Sequence, residues 1–81
     1  MKIRVLLFAT YRDLAGLDSV EVEVGPLASA ADAVSAVRAL GHRFAALPER
    51  PAVARNLRYV PLDTELAPGD ELAFIPPVAG G

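Results

Sequence analysis

The residues with most chemistry to offer stand at the end of the sequence, where "IPPVAGG" (75–81) follows directly on the strand-like run "ELAFI" (71–75). Pro76 and Pro77 carry no backbone N–H, so ladder donation stops there, and each ring fixes φ near about −65°. Pro76 also pushes Ile75 toward extended backbone, and Pro77 does the same to Pro76. The segment therefore leaves its sheet as a stiff, polyproline-like spacer. Val78, Ala79, Gly80 and Gly81 extend it by at most ~14 Å. Gly80 and Gly81 have no Cβ, so they fit a channel only backbone-wide, and no side chain hinders attack at the Gly81 carboxylate. The result is a carboxyl group on a stalk, shaped to enter another protein's active site. The alternative is that the prolines merely end a strand and the glycines merely fray. Gly-Gly alone leaves the two readings even; its place after Pro-Pro and a final strand favours the stalk.

Nothing further in from the tail has the makings of an active site. His42 is the single histidine and follows a helix end, which reads as a surface residue rather than a base or ligand. Asp70 and Glu71 are adjacent, so in a strand they point to opposite faces and cannot work as a carboxylate pair. Asp13 and Asp18 flank a connector without further ligands, so no metal site is expected. The glycines at 25, 41 and 69 are isolated and form no phosphate-binding loop. The chain has no cysteine. That excludes a disulfide framework, a thiolate nucleophile and cysteine-ligated zinc.

The totals point the same way. Eighty-one residues suffice for one domain with one core, and the expectation is a single domain over 1–81 whose residues 76–81 form a flexible tail. A hydrophobic content of 53% against 22% charged residues argues for a folded chain rather than a disordered one. The net charge of −2 gives no basic footprint for nucleic acid. The apolar run at Val5–Ala9 is too short for a signal-peptide core, and no stretch approaches the ~20 apolar residues of a membrane span. A soluble cytoplasmic protein is expected.

The elements that position the tail follow from periodicity. "KIRVLLF" (2–8) sets Lys2 and Arg4 on one face and Ile3, Val5 and Leu7 on the other, a first strand. "SVEVEV" (19–24) alternates valine with glutamate and reads as a half-exposed or edge strand. The connector "ATYRDLAGLD" is short enough for a hairpin-like link, with Gly16 free to take positive φ. The helix lies in "GPLASAADAVSAVRALG", with Ser29 as N-cap and Asp32 in capping-box position. Ala30, Ala33, Val34, Val37 and Leu40 make its apolar stripe, and Gly41 sits where a C′ glycine would close it. "HRFAALPERP" is irregular or a short helical turn anchored by Phe44 and Leu47. "AVARNLRYV" reads as two short strands about a turn near Asn56, and "APGD" as a type II turn with Gly69 third. The economical assembly is α+β, a mixed sheet wrapped on one main helix with the first and last strands central and side by side. That is the β-grasp, or ubiquitin-like, fold.

Three stretches carry a resemblance. "LLFATYRDLAG", "ARNLRYV" and "GDELAFIPPVAGG" resemble the MoaD family, the sulfur-carrier subunits of molybdopterin synthase, with Phe8-Ala9, Arg12, Gly16 and Asn56 at the expected spacing. Relatives carry Ser or Thr where Ala79 stands. Thiamine-pathway carriers and ubiquitin share fold and diglycine, but the Pro76-Pro77 pair is not expected there. The resemblance implies a mechanism. A ubiquitin-activating-type enzyme adenylates the Gly81 carboxylate with ATP, and sulfur from a persulfide donor replaces AMP to leave a thiocarboxylate. The tail then enters the large synthase subunit, in an expected heterotetramer, and donates sulfur to cyclic pyranopterin monophosphate. The chain itself is then a non-catalytic subunit with no bound cofactor. Two other destinies remain open: sulfur delivery to a different acceptor (thiazole, cysteine or a transfer-RNA base) and ubiquitin-like conjugation to protein lysines. Lys2, the sole lysine, would be the one attachment point for self-linked chains.

Strand parity adds a docking face. If Lys2, Arg4 and Glu71 mark the solvent side, Leu6, Phe8, Ala73 and Ile75 share it, while Ile3, Val5, Leu7, Leu72 and Phe74 face the helix. Large apolar residues outside the sheet and beside the tail make a partner-site signature, provided the 42–50 segment does not cover them. The family resemblance adds Tyr59 to Phe8 and Ile75 as a contact, with Pro76, Pro77, Val78 and Ala79 following along the tail.

Overall fold

The computed structural model describes residues 1–77. β1 (Lys2–Leu7), β2 (Ser19–Glu23), β3 (Ala52–Arg55), β4 (Arg58–Val60) and β5 (Glu71–Ile75) form one sheet in the order β2-β1-β5-β3-β4. β1 and β5 run parallel, side by side, with Arg4 opposite Glu71, Leu6 opposite Ala73 and Leu7 opposite Phe74. β2 is antiparallel to β1, and β3 to both β5 and β4. A parallel pair cannot be joined by a tight turn. Here the long connection between β1 and β5 carries the helix that covers the sheet, which completes the expected β-grasp.

The parity of β1 decides the core. Ile3, Val5 and Leu7 are buried, as are Leu72 and Phe74 on β5 and Val53 on β3. They meet α2 (Ala30–Arg38) through Ala30, Ala33, Val34 and Val37, all but inaccessible to solvent. Alanine and valine on that stripe let the helix lie close to the sheet. Its start is fixed by the expected capping box: the Asp32 N–H donates to Ser29 Oγ at 3.3 Å, and the Ser29 N–H to Asp32 Oδ2 at 2.8 Å, a device that contributes about 1 kcal/mol.

Three expectations fail locally, each for a physical reason. The link between β1 and β2 is a helix, α1 (Ala9–Ala15), rather than a hairpin turn. Tyr11 and Ala15, one helical turn apart, both enter the core, and burial outweighs the cost of the extra structure. Gly16 closes α1 in the left-handed region (φ 80°), its N–H reaching Arg12 O at 2.8 Å. Gly41 is no C′ glycine: α2 ends at Arg38 with Ala39 right-handed, and Gly41 is extended (φ 166°) at the entrance to α3 (His42–Ala45). With the helix over by then, Leu40 leaves the stripe and is 49% exposed. Arg38 joins these pieces, donating from Nε to Leu47 O at 2.8 Å and from Nη2 to Ala45 O at 3.1 Å. Leu47 is buried and Phe44 half-buried against the core, as their reading as anchors expects.

The two strand connections near the far end of the sheet agree closely with the sequence. Asn56 and Leu57 join β3 to β4, both with positive φ (49° and 75°), the pattern of a two-residue type I′ hairpin. In "APGD", Gly69 has φ 86° and the Asp70 N–H returns to Ala67 O at 3.1 Å.

Candidate functional site

The tail leaves from the middle of the sheet, because β5 is its central strand. Pro76 and Pro77 follow Ile75 without regular structure, Pro76 half-buried and Pro77 exposed. Val78, Ala79, Gly80 and Gly81 lie outside the described residues.

Around the root of the tail the outer face of the sheet is apolar. Phe8 is 45% and Tyr59 72% exposed, and Leu6, Ala73 and Ile75 are partly so. A shallow cavity of about 280 Å³ gathers Leu6, Phe8, Ala73 and Ile75, the parity set expected from sequence, together with Tyr59, expected from the family resemblance, and adds Ala54 and Leu57. The strand pairing explains the grouping: Leu6 stands opposite Ala73, Ala73 opposite Ala54, and Ala54 opposite Tyr59, one row across four strands. Small alanines at the centre and larger side chains at both ends make a concave face. The segment 42–50 does not roof it. Instead its end runs along the tail, where Pro48, Arg50, Pro51 and Tyr11 join Tyr59, Ile75, Pro76 and Pro77 around a second depression of about 480 Å³. Tyr59 and Ile75 line both, so the face continues to the tail.

Charges stand at the edges of this face. Arg4 and Arg12 lie with Phe8 and Asp18 around a neighbouring hollow. Arg4 Nε is 3.9 Å from Glu71 Oε2 across the parallel pair, a loose exposed contact that adds little stability. His42 is exposed on α3, and Asp13 lies on α1 with Asp18 just beyond it. Among the described residues no group of three or more His, Asp or Glu side chains converges in a metal-binding arrangement. Asp70 has a structural task instead, bonding the Ala67 N–H at 2.8 Å and the Asn56 side chain at 3.1 Å.

Leu57, Arg50 and Tyr11 border the face but are absent from the sequence-derived set. Leu57 is not legible, because a two-residue type I′ turn favours glycine at its second place. Tyr11 requires the helical spacing to Ala15 to be recognised, and Arg50 has no local signal.

A β-grasp sheet whose last strand runs into Pro76-Pro77 is the architecture of ubiquitin-like carrier and modifier proteins. The chain belongs to the ThiS family, whose model matches residues 5–81. Within it, the chain is 41% identical to the molybdopterin synthase sulfur carrier subunit of Escherichia coli (strain K12), over 98% of this chain and 99% of that one. Identity to the corresponding subunit of Chlamydomonas reinhardtii is 37%, with both chains covered completely. Among solved structures, small archaeal modifier protein 1 of H. volcanii matches with a TM-score of 0.82 at 30% identity, covering 95% of this chain and 98% of that one. No helix among the described residues is long and apolar enough to cross a membrane.

Proposed function

We propose that this chain is the sulfur carrier subunit of a molybdopterin synthase, with the Gly81 carboxylate as the group that carries sulfur. The observation that carries the reading is the continuity of the exposed apolar face at Phe8, Tyr59 and Ile75 with the Pro76-Pro77 root of the tail. Full-length similarity to two proteins named as such subunits supports it. A carboxylate is a poor electrophile until one oxygen becomes a good leaving group. Adenylation by ATP on a separate activating enzyme supplies that; the terminal sulfur of a persulfide donor then displaces AMP to give an acyl disulfide. A second thiol reduces its S–S bond, leaving with the donor's sulfur as a disulfide and releasing the thiocarboxylate. The thiocarboxylate formed is a soft nucleophile that needs no cysteine, in keeping with a chain that has none. Docked on the large synthase subunit through the apolar face, the carrier threads its tail toward cyclic pyranopterin monophosphate and gives up the sulfur. The chain contributes position and reach, the large subunit the reaction site; the setting is cytoplasmic.

The test is direct. Intact protein incubated with its activating enzyme, ATP, a persulfide donor and a thiol reductant gains the mass of sulfur minus oxygen at Gly81, and the product then converts the pterin substrate when the large subunit is added. An unchanged mass with several competent activating enzymes rejects the carrier reading. A second reading, conjugation to protein lysines, is favoured by the likeness to a small archaeal modifier protein. Under that reading, activation in cell extract yields isopeptide-linked adducts at Gly81 that resist thiol and base, in place of pterin sulfuration.

A further inference from the structure

Leu57 is the most exposed of the large apolar residues described, at 93%, and it occupies a backbone position that disfavours it. Both turn residues between β3 and β4 have positive φ. A type I′ turn takes asparagine well at its first place and glycine best at its second; here the second is leucine. Local folding gains nothing from that choice, since the backbone is strained and the side chain is in water. Yet the turn is held firmly. The Asn56 N–H donates to Glu71 O at 2.9 Å, the Glu71 N–H to Asn56 Oδ1 at 3.0 Å, and Asn56 Nδ2 to Asp70 Oδ1 at 3.1 Å. Leu57 is thus fixed at one end of the concave face, sharing its hollow with Phe8, Tyr59 and Ile75. Leu27 shares the positive φ and the exposure, but it lies with Met1, Pro26 and Pro68 around a different hollow.

The charges bordering the face select its occupant. Arg4 and Arg12 stand beside Phe8, and Arg50 beside Tyr59 and the tail root, against the carboxylates of Asp18 and Glu71. This gives the border a net +1 on a chain whose total is −2. Two copies meeting through this face would oppose like borders. A partner with an apolar centre edged by carboxylates is complementary.

We propose that Leu57 is a preorganised second anchor of the docking face, seated against an apolar, carboxylate-edged surface of the large synthase subunit. Arg50 faces those carboxylates at the tail end. The inference rests on the carrier reading above and gives the chemistry of the partner surface. A leucine in a rigid turn loses little freedom on docking, which is where preorganisation adds affinity, and its strain belongs to the free chain already.

The intact chain is titrated calorimetrically into the purified large subunit from the same genome, at low and at physiological salt. Leu57→Gly relieves the backbone and melts no lower than the parent, yet binds at least tenfold more weakly. Leu27→Gly, the matched control, binds like the parent. Arg50→Glu weakens binding severalfold at low salt, and the deficit shrinks as salt rises. Leu57→Gly binding within twofold of the parent overturns the proposal, and does so without touching the carrier reading if Phe8→Asp still abolishes binding. A parent chain that fails to bind the large subunit overturns both. A self-association seen by sedimentation and lost in Leu57→Gly overturns the assigned occupant in favour of a second copy.

Discussion

Asn56 and Asp70 hold two turns together: Asn56 Nδ2 donates to Asp70 Oδ1 at 3.1 Å, while Asp70 Oδ2 accepts the Ala67 N–H at 2.8 Å. Through this pair the β3–β4 turn is tied to the Pro68-Gly69 turn that starts β5, the strand from which the tail departs.

Asn56→Ala therefore costs about 1–2 kcal/mol in urea unfolding. It removes one bond to a carboxylate and one to the Glu71 N–H, and it leaves a Cβ residue at φ 49° without asparagine's tolerance for that region. Asn56→Gly recovers the backbone share alone and falls between the two. Equal stability of parent and alanine variant would mean that water replaces the pair at no cost.

Leu7 and Phe8 are neighbours with opposite fates, 1% and 45% exposed. Leu7→Asp places an unpaired carboxylate in the core, a cost of several kcal/mol that a domain of this size does not survive; circular dichroism shows an unfolded chain. Phe8→Asp keeps the fold and loses a hundredfold or more in affinity for the large subunit, because the same desolvation now falls on the interface. The reverse pattern would shift the docking face to the other side of the sheet.

This contrast is legible in the sequence because period two leaves no freedom: once Lys2 and Arg4 are outside, Ile3, Val5 and Leu7 are inside. The capping box is legible for a similar reason, since Ser29 and Asp32 satisfy each other's backbone groups locally. Elements stabilised from outside their own segment are not. α1 spans seven residues, too few to be stable alone, and exists because Tyr11 and Ala15 find the core. The end of α2 falls earlier than its periodicity suggests because Arg38 draws the following segment in by bonding Ala45 and Leu47, which no local pattern announces. Of the candidate site, the parity residues are readable and the turn residue Leu57 is not, because type I′ geometry predicts glycine there.

Gly16 tests α1 from its far end. A Cβ there would lie 2.8 Å from Arg43 Nη1, and φ is +80°. Gly16→Ala thus costs about 1–2 kcal/mol, mostly backbone strain, and also displaces a guanidinium that donates to Leu14 O at 3.2 Å and Asp13 O at 3.4 Å. Since Arg43 has then lost its bonds already, Gly16→Ala with Arg43→Ala costs less than the two changes summed. Strict additivity in a double-mutant cycle would place the arginine elsewhere in solution.

The stalk can be separated from its tip. Removing Gly81 leaves the melting temperature unchanged, because the core side chains run from Ile3 to Phe74, yet mass spectrometry detects no thiocarboxylate. Replacing Pro76 and Pro77 by glycines tests the spacer instead. Pro77 is exposed, and neither proline belongs to that core, so folding persists and the Gly81 carboxylate remains available. What changes is stiffness: a glycine linker samples many directions, and each must be given up when the tail enters a channel. The expected outcome is thiocarboxylate formation with a raised KM for the carrier, and pterin sulfuration slowed tenfold or more at limiting carrier. If the glycine variant matches the parent in both steps across carrier concentrations, the prolines only terminate β5 and the stalk has no part in delivery.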